Sequence, residues 1–135
     1  MDNAATLSAH FTEFKLNGRM VKVSAAAGVR LSHSLREQLG AKDVKIGCNA
    51  GDCGACTVLV DGDPVCACLM LTQQAAGKTL ETLVGLVGQD PRAKALVQSL
   101  QNHLAAQCVI CTPGVSVSAV ALSTDGPKPT FKKVQ

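Results

Sequence analysis

The sequence contains no tryptophan, no tyrosine and only three phenylalanines among its 135 residues. Proteins that bind single-stranded nucleic acid without sequence preference need aromatic platforms on which the bases stack. The formal net charge is a mild +3 and the basic residues form no long block. A nucleic-acid partner is therefore disfavoured, and Lys128, Lys132 and Lys133 are interpreted as part of a solvated tail.

Long apolar segments are also missing. No stretch approaches the roughly 20 apolar residues that span a bilayer. Residues 1–5, Met-Asp-Asn-Ala-Ala, have neither the positive charge nor the apolar core of a secretory signal. These absences predict a protein without a membrane span and with a cytoplasmic location. The 47% hydrophobic and 17% charged residues are typical of a globular chain rather than a disordered one.

Cysteine, by contrast, is abundant, with seven residues in this short chain. In a reducing compartment, clustered cysteines bind metal more often than they form disulfides. Because seven is an odd number, at least one thiol should be left over.

Turn residues divide the first half of the sequence into short strands. Asn17-Gly18 favours the positive φ angles of a two-residue hairpin turn. The segment Asp61-Gly62-Asp63-Pro64 marks a second hairpin. The predicted strands cover residues 11–16, 19–24, 57–60, 65–68 and 78–82.

A helix and a glycine-rich loop lie between the two hairpins. Leu31, Leu35 and Leu39 repeat at helical spacing. Gly40 then acts as a C-terminal stop, so a helix of about ten residues is predicted. Residues 45–56 combine three cysteines with glycine and alanine, which predicts a loop.

The pattern changes to helical beyond about residue 84. Pro91 can occupy the first turn of a helix after Asp90, and the apolar face of this helix is predicted to run into Cys108. That face comprises Leu96, Val97, Leu100 and Leu104. Pro113 can start a further helix, whose apolar residues are Val115, Val117, Val120, Ala121 and Leu122.

These elements favour an α+β fold with two domains, residues 1–84 and residues 85–135. Residues 123–129 are predicted to form a polar loop. Residues 131–135 resemble the first turn of another helix.

The strongest chemical signal is the spacing Cys48-x4-Cys53-x2-Cys56, which is the plant-type [2Fe–2S] pattern and requires a distant fourth cysteine. Two irons bridged by sulfide need four thiolates, and soft thiolate ligands favour iron–sulfur clusters over oxygen-preferring metals. Cys68 is expected to be the fourth ligand. Cys66 competes with it, because residues two apart on a strand point to the same face.

Gly47, Gly51 and Gly54 stand where a loop wrapped closely around a cluster would need them, since glycine adopts unusual φ angles and permits close backbone approach. Three alternatives remain open for the cysteines: a disulfide knot, a zinc site and plain buried thiols. Cysteines in a glycine-rich loop would make a poor core, which disfavours the last of these.

The segment from Gly47 to Val58, Gly-Cys-Asn-Ala-Gly-Asp-Cys-Gly-Ala-Cys-Thr-Val, followed by Asp61-Gly62 and Cys68, closely resembles the iron–sulfur subunit of the molybdenum hydroxylases. This is the family of xanthine dehydrogenase and aldehyde oxidoreductase. The resemblance implies a plant-type ferredoxin (β-grasp) domain followed by a helical-bundle [2Fe–2S] domain. It also implies that Cys68 is the fourth ligand and that Cys66 is the leftover thiol.

A second match covers residues 106–114, where the family has Gln-Cys-Gly-Phe-Cys-Thr-Pro-Gly. Val109 and Ile110 replace the family's Gly and Phe. The resemblance implies that Cys108 and Cys111 bind a second [2Fe–2S] cluster and that Gln107 contacts the molybdopterin of a large subunit. Without the motif, a zinc site or redox pair would compete for the two cysteines, and Gln107 would be a solvated residue.

The family supplies the second cluster's other two ligands from a Cys-x-Cys motif further along the chain. No cysteine follows Cys111 here. We therefore expect a truncated chain, or one half of a split or cleaved subunit, in which the helical domain is incomplete. A partner chain that donates the missing thiolates is the alternative.

By resemblance, the chain is the electron-transfer subunit of a molybdenum-dependent oxidoreductase. Electrons would pass from the molybdopterin of a large subunit through the [2Fe–2S] clusters to an FAD-binding subunit or another acceptor. No catalytic acid or base is expected on the chain, and His10, His33 and His103 are interpreted as structural or solvated. A free-standing ferredoxin and a zinc-stabilised interaction module are the alternative functions.

Overall fold

A computed structural model describes residues 10–123. Several predictions fall outside the described residues. They concern the loop after Ser123, the helical turn over residues 131–135, the lysines of the C-terminal tail and the side chain of His10. The strands are β1 His10–Leu16, β2 Arg19–Ala25, β3 Thr57–Val60, β4 Asp63–Cys66 and β5 Thr79–Glu81. The helices are α1 Leu31–His33, which continues as a π-helical turn over Ser34–Gln38, α2 Leu83–Gln89, α3 Pro91–Asn102 and α4 Thr112–Ser123, with a 3₁₀ turn at Thr72–Ala75.

The strands form one mixed sheet in the order β2-β1-β5-β3-β4. Both hairpins are antiparallel, and β5 pairs in parallel with β1 and antiparallel with β3. Strand β5 therefore lies between the hairpin at the start of the chain and the second hairpin, which leads to Cys68. The predicted α+β fold is confirmed.

The second hairpin is tighter than predicted. Asp61 and Gly62 both have positive φ, 52° and 92°, so two residues complete the turn and Val60 pairs directly with Asp63. Strand β4 therefore ends at Cys66, and the prediction that Cys68 lies on this strand is wrong. Pro64 is tolerated in β4 because this is an edge strand of the sheet.

The predicted helix around Leu35 is present but is not a regular α-helix. After one α-helical turn, the Leu39 N–H donates to the carbonyl oxygen of Ser34, five residues earlier, at 3.2 Å. Gly40 then has a φ of 69° and ends the helix, as its sequence position indicates. Leu31 and Leu35 are fully buried, which places this helix against the sheet.

Helix α3 begins as predicted, because the Asp90 carboxylate accepts a hydrogen bond from the Arg92 N–H at 2.8 Å and caps the first turn. The prediction that it runs into Cys108 is wrong. The Ala105 N–H donates to the Leu100 carbonyl and the Leu104 N–H donates to the Gln101 carbonyl. Leu104 has a φ of 51°, so these bonds form a Schellman motif that ends the helix at Asn102.

The two faces of the sheet carry different helices. Side chains alternate along β3, so Val58 and Leu59 belong to different core clusters. The cluster with Val58 also contains fully buried Phe14, Leu31, Leu35 and Leu80. The cluster with Leu59 contains Leu86, Ala93, Val117 and Val120 from the three helices after β5.

Helices α2, α3 and α4 thus pack against the sheet of the first half. The predicted division at residue 84 falls inside α2 and stays a prediction. Within residues 10–123, no helix is long and apolar enough to cross a membrane.

Candidate functional site

The first three cysteines lie in the long loop that joins the π-helical turn to β3. Asn49, Gly51 and Gly54 have φ values of 54°, 84° and 68°, so the chain reverses direction repeatedly over a few residues. Such a path directs successive backbone N–H groups toward one side of the loop. This segment, residues 45–56, is called the ligand loop below.

The candidate ligands form two pairs of thiols. The Cys53 N–H donates to the Cys48 sulfur at 3.3 Å, and the Cys48 N–H donates to the Cys53 sulfur at 3.4 Å. The Cys68 N–H donates to the Cys56 sulfur at 3.4 Å. The first pair is exposed and the second is buried.

This arrangement suits a centre with two irons, each held by one pair of thiolates. A mononuclear zinc site needs four ligands that converge on one point. No group of three or more histidine, cysteine, aspartate or glutamate side chains within residues 10–123 is arranged to hold a single ion. The residues present therefore fit a dinuclear cluster.

Cys48 and Cys56, one thiol from each pair, differ in their pKa values. Hydrogen bonds from the backbone N–H groups of Cys53 and Ala50 lower the pKa of the Cys48 thiol to about 7. Burial raises the pKa of the Cys56 thiol to about 12. Cys48 thus offers a thiolate near neutral pH, whereas Cys56 needs the charge of a bound metal to release its proton.

The predicted glycines serve the loop in two ways. A Cβ on Gly47 would stand 2.9 Å from the Cys53 sulfur, and a Cβ on Gly51 would stand 2.5 Å from Cδ1 of Leu69. Gly54 has more room, but its φ of 68° favours glycine. Glycine therefore permits close approach to the Cys53 sulfur at Gly47 and a left-handed backbone at Gly51 and Gly54, whereas the exposed Leu69 side chain could move aside at Gly51.

Cys66 lies beside these ligands without joining either pair. It is half-buried in β4, and its thiol donates a long hydrogen bond to the Gly51 carbonyl, with a sulfur–oxygen distance of 3.9 Å. The backbone bond from Cys68 to the Cys56 sulfur favours Cys68 as the fourth ligand. The ligand assignment and the leftover role of Cys66 stay predictions.

Arg30 is a site residue that the sequence analysis missed. Its Nη1 donates to the carbonyl oxygen of Asn49 in the ligand loop and, at 3.1 Å, to the carbonyl oxygen of Cys68. No local pattern marks such a residue, because its partners are 19 and 38 positions away in the sequence.

The second cysteine pair lies in the connection between α3 and α4. Cys108, Cys111 and Gln107 are all exposed, and the Cys111 carbonyl accepts a hydrogen bond from the Val115 N–H in α4 at 3.0 Å. Val109 has a φ of 63°, at the position where the resembling family has glycine. The first turn of α4 packs against the ligand loop at Gly54, so the two cysteine segments are neighbours.

The described histidine side chains make no hydrogen bond to either cysteine segment. His33 and His103 are exposed. The His103 Nδ1 donates to the Ser99 carbonyl at 2.8 Å, at the end of α3. This contact fits the predicted structural role of His103.

Comparison with known proteins agrees with this geometry. Residues 14–83 match the 2Fe-2S iron-sulfur cluster binding domain. The chain is 42% identical over 119 residues to the small FeS subunit of nicotinate dehydrogenase from Eubacterium barkeri, covering 88% of this chain and 75% of that protein. It is 38% identical over 122 residues to the xanthine dehydrogenase iron-sulfur-binding subunit of Escherichia coli O157:H7, covering 90% and 74%.

Solved structures give the same result. Quinoline 2-oxidoreductase from Pseudomonas putida 86 superposes with a TM-score of 0.85 at 35% identity, over 94% of this chain and 78% of that one. The predicted [2Fe–2S] cofactor and the resemblance are thereby confirmed. The chain belongs to the 2Fe-2S iron-sulfur cluster binding family and, within it, to the iron–sulfur subunits of the molybdenum hydroxylases.

Proposed function

We propose that this chain carries electrons between the molybdopterin centre of a large subunit and an FAD-binding subunit or another acceptor. Its route would run from the site at Cys108 and Cys111 to the site at Cys48, Cys53, Cys56 and Cys68. When bound, [2Fe–2S] clusters supply one-electron oxidation and reduction. The protein's part is to hold each site, limit its access to water and set its potential.

The observation that carries this proposal is the contact between the two cysteine segments. Gly114, three residues after Cys111, packs on the ligand loop at Gly54. A relay needs two redox sites close to one another, whereas a free-standing ferredoxin needs only the first. The contact therefore supports a relay over a single-site carrier.

The surface near the second pair supports a protein partner. Four apolar side chains near Cys108 and Cys111 are exposed, among them Leu104 at 87% and Val115 at 59%. The other two are Val109 and Ile110. Exposed apolar groups gathered near one site are typical of a surface that a partner covers, and a large subunit that contacts Gln107 would cover this one.

The experiment is to purify the native complex and measure iron, acid-labile sulfide, molybdenum and flavin per chain. Dithionite-reduced samples are then examined by EPR. The wild-type complex should contain molybdenum and show two distinct iron–sulfur signals. Cys53→Ser should abolish or alter one signal, and Cys108→Ser should do so for the other.

Two results would contradict the proposal. Zinc in place of iron would favour an interaction module. A stable native complex with iron but no molybdenum would remove the assignment to a molybdenum enzyme and favour a free-standing ferredoxin.

A further inference from the structure

Arg30 connects the two halves of the first cluster site. It directly precedes α1, and its backbone forms a bridge with Leu71. From there its Nη1 donates to the carbonyl oxygens of Asn49 and Cys68, the latter at 3.1 Å. Arg30 is thus anchored beside the segment that contains Cys68, and its side chain reaches from there to the ligand loop.

The two acceptors belong to different thiol pairs. Asn49 follows Cys48 of the exposed pair, whereas Cys68 is itself a member of the buried pair. A hydrogen bond to each carbonyl fixes the position of one pair relative to the other. A dinuclear cluster would require this relative position, because each pair would hold one of the two irons.

The charge of Arg30 is not neutralised by an ion pair with any acidic side chain of residues 10–123. Arg36 and Arg92, by comparison, pair with Glu37 and Asp90. A cation held beside the ligating segments stabilises the more negative, reduced form of a cluster, and net charge around a cluster is one determinant of its potential.

We propose that Arg30 is a positioning residue of the first cluster site. It fixes the position of the Cys48–Cys53 pair relative to the Cys56–Cys68 pair and raises the reduction potential of the cluster that they would hold. This inference rests on cluster binding by the ligand loop and not on the identity of the partner subunits. It would therefore hold even if the proposed electron route were wrong.

The test compares Arg30→Gln and Arg30→Lys in the full chain with its native partners. Arg36→Gln is the matched control, because the Arg36 Nη1 donates to the carbonyls of Val44 at 2.6 Å and Lys42 at 3.4 Å, in a segment without cysteine. Midpoint potentials are read from EPR-monitored redox titration. Cluster retention is read from the rate of iron release to a chelator.

Arg30→Gln should shift the potential of the first signal to a more negative value, leave the second signal in place and release iron several-fold faster. Arg30→Lys keeps the charge but lacks the planar guanidinium, so its potential should stay near that of the wild type while iron release is faster. Arg36→Gln should match the wild type in both measurements.

A wild-type potential and release rate in Arg30→Gln would overturn the proposal, as would an equal shift in Arg36→Gln. If Arg30→Gln holds no cluster, Arg30→Lys decides the question. If Arg30→Lys has a wild-type potential and releases iron faster than Arg36→Gln, the proposal is supported. If Arg30→Lys releases iron no faster than Arg36→Gln, the proposal is overturned.

Discussion

Gly114, in the first turn of α4, lies directly against the backbone of Gly54 in the ligand loop. A Cβ on Gly114 would stand 3.0 Å from the carbonyl carbon of Gly54 and 3.1 Å from Cα of Ala55, and closer still to the carbonyl oxygen. Backbone atoms cannot move aside as a flexible side chain can. The helix that follows Cys111 therefore reaches the first cluster site only because residue 114 has no side chain.

Gly114→Ala should displace α4 from the ligand loop. We expect it to destabilise the protein by about 1–3 kcal/mol, the usual cost of overpacking a tight contact. The measurement is the thermal unfolding midpoint, which should fall, together with EPR of the reduced complex, in which both signals should change.

Gly88→Ala is the control for this substitution. Gly88 lies in α2, and nothing stands within 4 Å of a Cβ at that position. Alanine there should stabilise the helix by about 0.5–1 kcal/mol. Equal midpoints for Gly114→Ala and the wild type would contradict the close contact.

Val109→Gly should stabilise the protein, although it removes an apolar side chain. Val109 has a φ of 63°, a left-handed conformation that costs a residue with a Cβ about 1–2 kcal/mol. Part of this gain is offset by the greater freedom of glycine in the unfolded chain, so we expect a net stabilisation of roughly 0.5–1 kcal/mol. Urea unfolding followed by circular dichroism measures it.

Val115→Gly provides the comparison, because Val115 is also an exposed valine but lies within helix α4. Glycine should destabilise that helix by about 0.5 kcal/mol. If both substitutions destabilise the protein, the strain assigned to Val109 is absent.

The features that could be predicted from the sequence depend on neighbours along the chain. Asn17-Gly18 specifies a turn by itself, and φ values of 49° and 84° at these residues confirm it. Asp90 followed by Pro91 specifies a helix start in the same way. The spacing of Cys48, Cys53 and Cys56 indicates the cofactor because the cluster requires those intervals.

The features that were missed depend on residues far apart in the sequence or on a rare backbone conformation. The hydrogen bond from Arg30 to Cys68 exists only once the sheet and α1 have packed together. The end of α3 depends on a left-handed Leu104, and the apolar periodicity of that segment favours a longer helix instead. The shift of strand β4 from the predicted residues 65–68 to Asp63–Cys66 follows from two adjacent left-handed residues, of which Asp61 is not glycine.

Separate substitutions of Cys66 and Cys68 distinguish the fourth cluster ligand from the neighbouring thiol. Cys68→Ala should lose or strongly alter the first EPR signal, because it removes the buried thiol that is paired with Cys56, although the backbone N–H of residue 68 can still donate to the Cys56 sulfur. Cys66→Ala should retain the signal and the iron content, because this thiol is directed at the Gly51 carbonyl.

The double variant completes the comparison. If Cys68→Ala kept an altered cluster that disappeared only when Cys66 was also replaced, Cys66 would be able to ligate iron. Its assignment as the leftover thiol would then be wrong.

Iron removal should leave Cys48 and Cys56 with opposite reactivities in the folded chain. Cys48 is exposed and its pKa is lowered to about 7, whereas Cys56 is buried and its pKa is raised to about 12. Only the thiolate reacts with iodoacetamide, so labelling of Cys48 should fall as the pH drops below about 7 and level off above it, while Cys56 stays unlabelled throughout. Peptide mass spectrometry over a pH series gives the rate of labelling at each cysteine.

Unfolding in urea is the control. The thiols then regain a pKa of about 8.5, so the pH midpoint for labelling of Cys48 should rise and Cys56 should be labelled at a similar rate. The same midpoint for Cys48 with and without urea would show that the Cys53 and Ala50 N–H groups do not stabilise its thiolate.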